Sequence, residues 1–288
     1  MKTFTQPHRS DRGALRARHG ELRWGERTYV MGVVNVTPDS FSGDGIVEAR
    51  AAIAHGLSQF ERSSDLLDIG AQSTRPGHTP IDAQIELQRL LPVIRGVRER
   101  LPNVLISSDT FNPEVFRAAH RAGADILNSI WGLSDDLLEA VVQTGAPVII
   151  MHNKTEPVYA GDVLDEVLAY LDHAANRAVA AGVKAEQIVL DPGIGFGKLA
   201  DHNIAVLARL DRLIALGFPT LLATSRKSTL GKLTGRPVGE RVHATAATVA
   251  LAIAAGIDIV RVHDVSEIRD VVSVTDAIVR NWRPASWT

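Results

Sequence analysis

The chain has 288 residues, 45% of them hydrophobic and 22% charged, with a net charge of −2 at pH 7. That balance suits a globular protein, leaves no electrostatic footprint for nucleic acid, and comes with no apolar run near the ~18 residues of a membrane-spanning helix. The absence of cysteine excludes disulfides, thiolate nucleophiles and cysteine-ligated metals together, and the opening MKTFTQPHRSDRG lacks the apolar stretch of a secretory leader, so a cytoplasmic location is expected.

The first 27 residues are locally basic (Lys2, Arg9, Arg12, Arg16, Arg18, Arg23, Arg27) and read as a solvated surface segment. Within them, LRARHGELRWGERTYV alternates well enough for a small hairpin turning near His19-Gly20 or Gly25-Glu26, placed to close the N-terminal mouth of a barrel. Eight short apolar runs come next: YVMGVVN (29–35), LLDIG (66–70), NVLISSD (103–109), DILNS (125–129), PVIIMH (147–152), QIVLD (187–191), TLLAT (220–224) and DIVRVH (258–263). Segments of helical periodicity separate them, as in 163–182, where Leu164, Val167, Leu168, Leu171, Ala174, Ala175 and Ala178 share one face. Strands that are apolar throughout belong in a parallel sheet covered on both sides. Eight of them alternating with helices predict an α/β fold, a (β/α)8 TIM barrel rather than an open doubly wound sheet. No Gly/Ser-rich or Pro-rich linker divides the chain, which predicts a single domain over 1–288, with an N-terminal extension to residue 28 and a barrel over 29–282.

In such a barrel the C-terminal strand ends carry function and the opposite rim carries stability. The strand ends here deliver Asn35; Asp68 with Ser73, Thr74 and Arg75; Asp109; Asn128; His152 and Asn153; Asp191; Lys227 among hydroxyls; and Arg261 with His263. Any one of these suits a turn or cap, but eight on one rim call for a shared ligand. Asp109, Asn128 and Asp191 suit the N–H edge of a flat heterocycle such as a pterin or guanine, while Arg75, Arg226, Lys227, Arg261 and His263 suit an anion. Asn35 is a neutral oxygen ligand, adequate for Mg2+ when a diphosphate supplies the other oxygens. The loops NVTPDSFSGDG (35–45) and STRPGHTP (73–80) mix glycine with proline and read as lids. DPGIGFGK (191–198) fails as a phosphate loop because Pro192 stands where the first glycine belongs and Leu199 follows the lysine. Neither G-x-G-x-x-G nor H-E-x-x-H occurs, and the ten histidines show no metal-ligand spacing.

MGVVNVTPDSFS, DIGAQSTRPG, SSDT, the ILN of ILNSIWG, MHN, DPGIGFGK, TSRKS and IVRVHDV stand in one order along the chain. Together they resemble the dihydropteroate synthases, pterin-binding barrels, over about residues 29–282. The resemblance implies a transferase of folate biosynthesis that condenses 6-hydroxymethyl-7,8-dihydropterin diphosphate with 4-aminobenzoate, with loss of diphosphate before amine attack. It implies Asp109, Asn128, Met151, Asp191, Phe196 and Lys227 around the pterin, and Asn35, Arg75, Arg261 and His263 around the diphosphate with Mg2+ as cofactor on Asn35. Phe41, Thr74, Arg75, Pro76, Lys227 and Ser228 are implied around 4-aminobenzoate, the pocket that sulfonamides mimic. Lys227, Asp109 and Arg261 are the catalytic candidates, and a homodimer is implied through exposed apolar positions in Ala246–Ala255 and Val271–Val279. Corrinoid-dependent methyl transfer from methyltetrahydrofolate and a catalytically silent pterin-binding paralogue are the competing readings.

Several positions depart from the family pattern. Gly43 precedes Asp44, Gln72 stands for a usual Glu, Ser63-Ser64 for Gly-Ala, and Ser129 for the Asp after Asn128. Gln72 and Asp44 flank the aminobenzoate loops, where discrimination between substrate and sulfonamide, and hence resistance, would be set.

Overall fold

The computed structural model describes residues 12–36, 45–72 and 81–286. Strands β1 (Ala14–Ala17) and β2 (Gly20–Arg23) form the antiparallel hairpin, turning at Arg18-His19 with Ala17 opposite Gly20. Eight parallel strands follow: β3 (Tyr29–Asn35), β4 (Leu66–Gly70), β5 (Leu105–Asp109), β6 (Ile126–Ser129), β7 (Val148–Met151), β8 (Ile188–Asp191), β9 (Leu221–Leu222) and β10 (Ile259–Val262). They run β8-β7-β6-β5-β4-β3-β10-β9, and a bridge from Leu190 to Thr220 brings the two edges together. This is a (β/α)8 barrel. The helices are α1 (Gly45–Glu61), α2 (Ala83–Arg100), α3 (Pro113–Ala122), α4 (Asp135–Thr144), α5 (Val163–Ala180), α6 (Ala200–Leu207), α7 (Leu210–Ile214), α8 (Ser228–Thr234), α9 (Val242–Ala255) and α10 (Val265–Val279). None is long and apolar enough to cross a membrane.

Alternate strand residues divide the core. Tyr29, Met31, Leu66, Leu105, Ile126, Ile149, Val189, Leu221 and Ile259 form one buried cluster with Leu15, Leu22 and Trp24 of the N-terminal segment. Their register neighbours Leu127, Val148, Ile150, Ile188, Leu190, Leu222 and Val260 face the helices instead. The hairpin therefore plugs the barrel floor. Trp24 is 1% exposed, meets Tyr29 edge to face at 6.2 Å and donates its indole N–H to Glu186 O at 3.0 Å. A buried Trp needs that partner for its one polar atom.

The floor's rim repeats one device. Asp65, Asp125 and Asp258 each precede a strand, accept a main-chain N–H from a neighbouring strand (Val30, Ile106 and Thr220 at 2.7, 3.0 and 2.9 Å), and pair with Arg27 and Arg269, Arg98, and Arg12 respectively. Each carboxylate satisfies a donor at the barrel's end, and each arginine offsets the charge of its acid, which is fully buried in Asp125 and Asp258 and partly so in Asp65. Much of the basic N-terminal segment is thus used in ion pairs. Ser63 explains a departure: it holds φ +73, a conformation in which a glycine is free and a serine costs about 1 kcal/mol.

Strand β9 is shorter than the 220–224 run suggests. Pairing with β10 covers Leu221 and Leu222, with Thr220 bridging Leu190 before them, because the chain soon turns, with Lys227 N donating to Thr224 O at 3.2 Å and Arg226 at φ +61.

Candidate active site

The polar residues occupy the layers above the apolar floor. Asp68, Ser107, Asn128, Asp191 and Arg261 follow the cluster members Leu66, Leu105, Ile126, Val189 and Ile259 by two places, so the strand pleat turns them to the same interior side. Asp109 lies one further step along β5, opposite Gly70. A Cβ at Gly70 would lie 3.1 Å from the Asp109 Cβ, so glycine there makes room for the carboxylate. Met151 ends β7 and is 3% exposed, while Asn35 stands exposed at the end of β3.

Arginine 261 ties the site together. Its Nε donates to Asp68 Oδ2 at 2.6 Å and its Nη2 to Asp109 Oδ2 at 3.2 Å, while Asn128 Nδ2 donates to the same Asp68 oxygen at 3.2 Å. Lys227 places its ammonium 4.0 Å from the centre of the Phe196 ring, a cation–π contact. Phe196 is held there by the turn after β8, in which Asp191 Oδ1 accepts from Gly193 N at 2.7 Å. Gly193 sits at φ +69, and a Cβ there would lie 1.9 Å from His152 O.

Burial sets the charges. It pushes Asp109 up to about 7, assisted by the neighbouring Asp68 and opposed by Arg261 and Lys227. Asp191 goes up to about 6 through burial, opposed by the Gly193 N–H and then Lys227. Burial with Arg261 nearby brings Lys227 down to about 8, against the pull of Asp191 and Asp109. Two acids and one ammonium therefore titrate in adjoining ranges within one enclosure, the pattern of a site waiting for a polar ligand.

His263 is pushed down to about 3 by burial and is neutral in the free chain. Ser225 Oγ accepts its main-chain N–H at 3.2 Å and lies 3.0 Å from Nδ1; in the tautomer where the hydroxyl donates to Nδ1, the ring proton sits on Nε2. Nε2–H is then a donor for an anion. Ser228 is exposed at the start of α8.

The neighbouring Arg226 is not an open anion donor. It pairs with Asp264 at 2.5 Å, and Arg241 holds the main-chain oxygens of Arg226 and Lys227 at 3.0 and 3.3 Å. Phe41, Thr74, Arg75 and Pro76 lie outside the described residues, as does Asp44.

Three participants were not assigned roles from the sequence. Asp68 stands in the LLDIG run, but its partners come from β6 and β10. Lys198 ends the DPGIGFGK motif; its Nζ contacts His152 Nδ1, Gly193 O and Phe196 O at 2.9, 3.1 and 3.2 Å, bracing the turn that carries Phe196. Burial takes Lys198 down to about 7 and His152 down to about 3. Glu86 is 2% exposed in the first turn of α2, where burial raises its pKa and Thr110 bonds to it. The visible signals were an aspartate inside the apolar LLDIG run and a lysine directly after a glycine-rich turn.

Comparison with known proteins agrees with this geometry. A family model described as pterin binding enzyme matches residues 31–263. The dihydropteroate synthase of Clostridium beijerinckii is 39% identical over 264 residues, covering 90% of this chain and 97% of that protein. Among solved structures, the dihydropteroate synthase of Clostridium difficile obtained in the presence of pteroic acid superposes with a TM-score of 0.87 at 42% identity, covering 90% of this chain and 99% of that one. The Yersinia pestis dihydropteroate synthase in a sulfonamide drug complex gives 0.85 at 36% identity, covering 92% and 98%. With the barrel, the buried acids and the cationic rim all in place, the chain belongs to the dihydropteroate synthases of the pterin binding enzyme family.

Proposed function

We propose that this rim condenses 6-hydroxymethyl-7,8-dihydropterin diphosphate with 4-aminobenzoate, giving 7,8-dihydropteroate and diphosphate. The observation that carries the reading is the joining of buried acceptors to half-buried cations in one enclosure, Asp109 to Arg261 directly, Asn128 to Arg261 through Asp68, and Lys227 to Asp109 and Asp191 by charge. Asp109, Asn128 and Asp191 take the pterin's N–H groups, with Met151, Phe196 and Lys227 completing its slot. Arg261 and the Nε2–H of His263 take the diphosphate, an anion whose charge would raise the His263 pKa. Arg75 joins them from the second loop, and Phe41, Thr74, Arg75, Pro76, Lys227 and Ser228 form the aminobenzoate side.

The bond that breaks joins the methylene carbon to a diphosphate oxygen, and both electrons leave with the oxygen. Electron release from the dihydropterin stabilises the cationic methylene, and the carboxylates of Asp109 and Asp191 favour that positive charge. The aminobenzoate nitrogen then supplies its lone pair to form the C–N bond and loses a proton. An arylamine is neutral and nucleophilic at pH 7, so no strong general base is needed.

Among the described residues no group of three or more His, Asp or Glu could hold a metal ion. Asn35 offers a single neutral oxygen, and that donor set fits Mg2+ only as an ion that arrives with diphosphate oxygens. When bound, Mg2+ supplies further positive charge to the leaving group. A cytoplasmic setting belongs to the same proposal.

Recombinant chain with both substrates and Mg2+ is expected to release diphosphate and form dihydropteroate; no release from the pair ends the proposal. The same assay gives a bell-shaped kcat/KM for the pterin substrate, with an acid limb between about pH 6 and 7 and an alkaline limb near 8, as Asp191 and Asp109 gain protons and Lys227 loses one. A flat profile from pH 5.5 to 9 removes these groups from the chemistry. A sulfonamide added against varied aminobenzoate tests Gln72 and Asp44: ordinary competition leaves them no part in drug discrimination.

A dimer belongs to the same proposal. Leu251 on α9 and Val274 and Ile278 on α10 are 72%, 61% and 71% exposed, and α9 packs along α10. A second copy would cover such apolar positions. Sedimentation of the wild type is expected to give a dimer and Leu251→Asp a monomer; a wild-type monomer at tens of micromolar refutes it.

A further inference from the structure

Asp68 is fully buried in the middle of β4, and it does not stand where a ligand-facing loop would be. One of its oxygens, Oδ2, receives Arg261 Nε at 2.6 Å and Asn128 Nδ2 at 3.2 Å; the other, Oδ1, is buried with no hydrogen-bond partner among the described residues. An ionised carboxylate can only accept, so the atom of Asn128 facing it must be the NH2 group. The Asn128 oxygen is thereby turned away from Asp68. The same oxygen fixes the plane of the Arg261 guanidinium, which reaches Asp109 with Nη2. One atom thus aims an amide on β6 and a cation on β10, residues 60 and 193 positions away.

We infer that Asp68 is a positioning residue of the reaction, coupling the pterin acceptor Asn128 to the leaving-group cation Arg261 through a single carboxylate oxygen. The inference rests on the functional reading above. Asp68 also adds negative charge beside Asp109, which is faced as well by Arg261 from β10, Glu86 from α2 and Lys227 from the turn after β9. Removing the Asp68 charge makes Asp109 easier to ionise and moves its titration to lower pH.

Two substitutions in the full chain separate these effects. Asp68→Asn keeps one acceptor oxygen without the charge, and Asp68→Ala removes both. Small displacements of positioned groups can cost ~10²-fold, so D68A is expected to lower kcat/KM for the pterin diphosphate by about that much, with kcat falling as well as KM rising. D68N should lose roughly 10-fold, and the KM for aminobenzoate should stay within about twofold in both. The acid limb of the D68N profile should lie at lower pH than that of the wild type, a shift that loosened packing alone would not produce. Activity within about threefold of wild type in both variants, or an unmoved acid limb with both KM values raised equally, overturns the inference. If neither variant folds, the residue's role is to hold the barrel and the inference is likewise overturned. Pteroic acid binding and turnover by the wild type report on the underlying reading separately, since their failure would condemn the site assignment before any variant is compared.

Discussion

Replacing Lys227 with methionine lowers kcat/KM for the pterin diphosphate by about 10³-fold, close to 4 kcal/mol of transition-state stabilisation. Methionine matches the length and apolar stem of lysine, so the ring of Phe196 keeps a neighbour while the ammonium 4.0 Å from its centre is lost. What disappears is one of two cations, with Arg261, that act on both Asp191 and Asp109. Without it both acids hold protons more firmly at neutral pH and present a hydroxyl where the pterin needs an acceptor. Stability should rise below pH 8. An unfolded lysine titrates near 10.5, whereas burial brings Lys227 down to about 8, so the folded chain holds that proton less tightly, its charge costs stability at neutral pH, and the melting temperature of the methionine variant should rise. Lys227→Arg restores charge in a planar, larger group and should not rescue activity. Steady-state kinetics beside thermal melts decide it, and a methionine variant within tenfold of wild type sinks the role.

Asp109→Asn moves activity and stability in opposite directions. Activity should fall by roughly 10²- to 10³-fold, since the amide offers one acceptor and no charge to a ring that becomes cationic. Stability should rise. An unfolded aspartate ionises near 3.8, whereas burial, with Asp68 beside it, holds Asp109 in the folded chain to about 7. The folded state therefore binds the proton more tightly. Asp109 adds stability at low pH, and that contribution is lost as pH climbs through 7. The neutral asparagine escapes this loss, so its advantage over the wild type should grow between pH 4 and 7 and level off above, at about 2 to 4 kcal/mol. Melts across that range test the sign: an asparagine variant less stable at pH 8 would mean that the pair with Arg261, at 3.2 Å, outweighs the burial of the charge. A gain in stability with lost activity is the trade expected where a buried carboxylate is kept for chemistry.

The barrel was legible because parallel strands covered on both faces leave an unbroken apolar signature. YVMGVVN and LLDIG coincide with β3 and β4, and the periodic segment from 163 contains α5, whose start is capped by Asp162 accepting from Leu164 and Asp165. Asp109, Asn128, Asp191 and Arg261 were legible for the same reason: a polar residue closing or interrupting an apolar run at a strand's C-terminal end has few structural explanations. Arg226 was not. Composition and spacing left it open between an anion and an ion pair, and only the approach of Asp264 from the far side of β10 decided for the pair.

What the sequence by itself determined is local: which segments become strands and helices, and which polar side chains those strands carry to one rim. Such features depend on the pleat and the helical turn, which act over a few residues. The tertiary structure alone decided that Asp68 serves Asn128 and Arg261, that Lys198 braces the turn under Phe196, and that Asp109, Asp191 and Lys227 titrate within reach of neutral pH. Those properties come from which distant groups become neighbours and how much water they exclude, and a charge's energy depends on both.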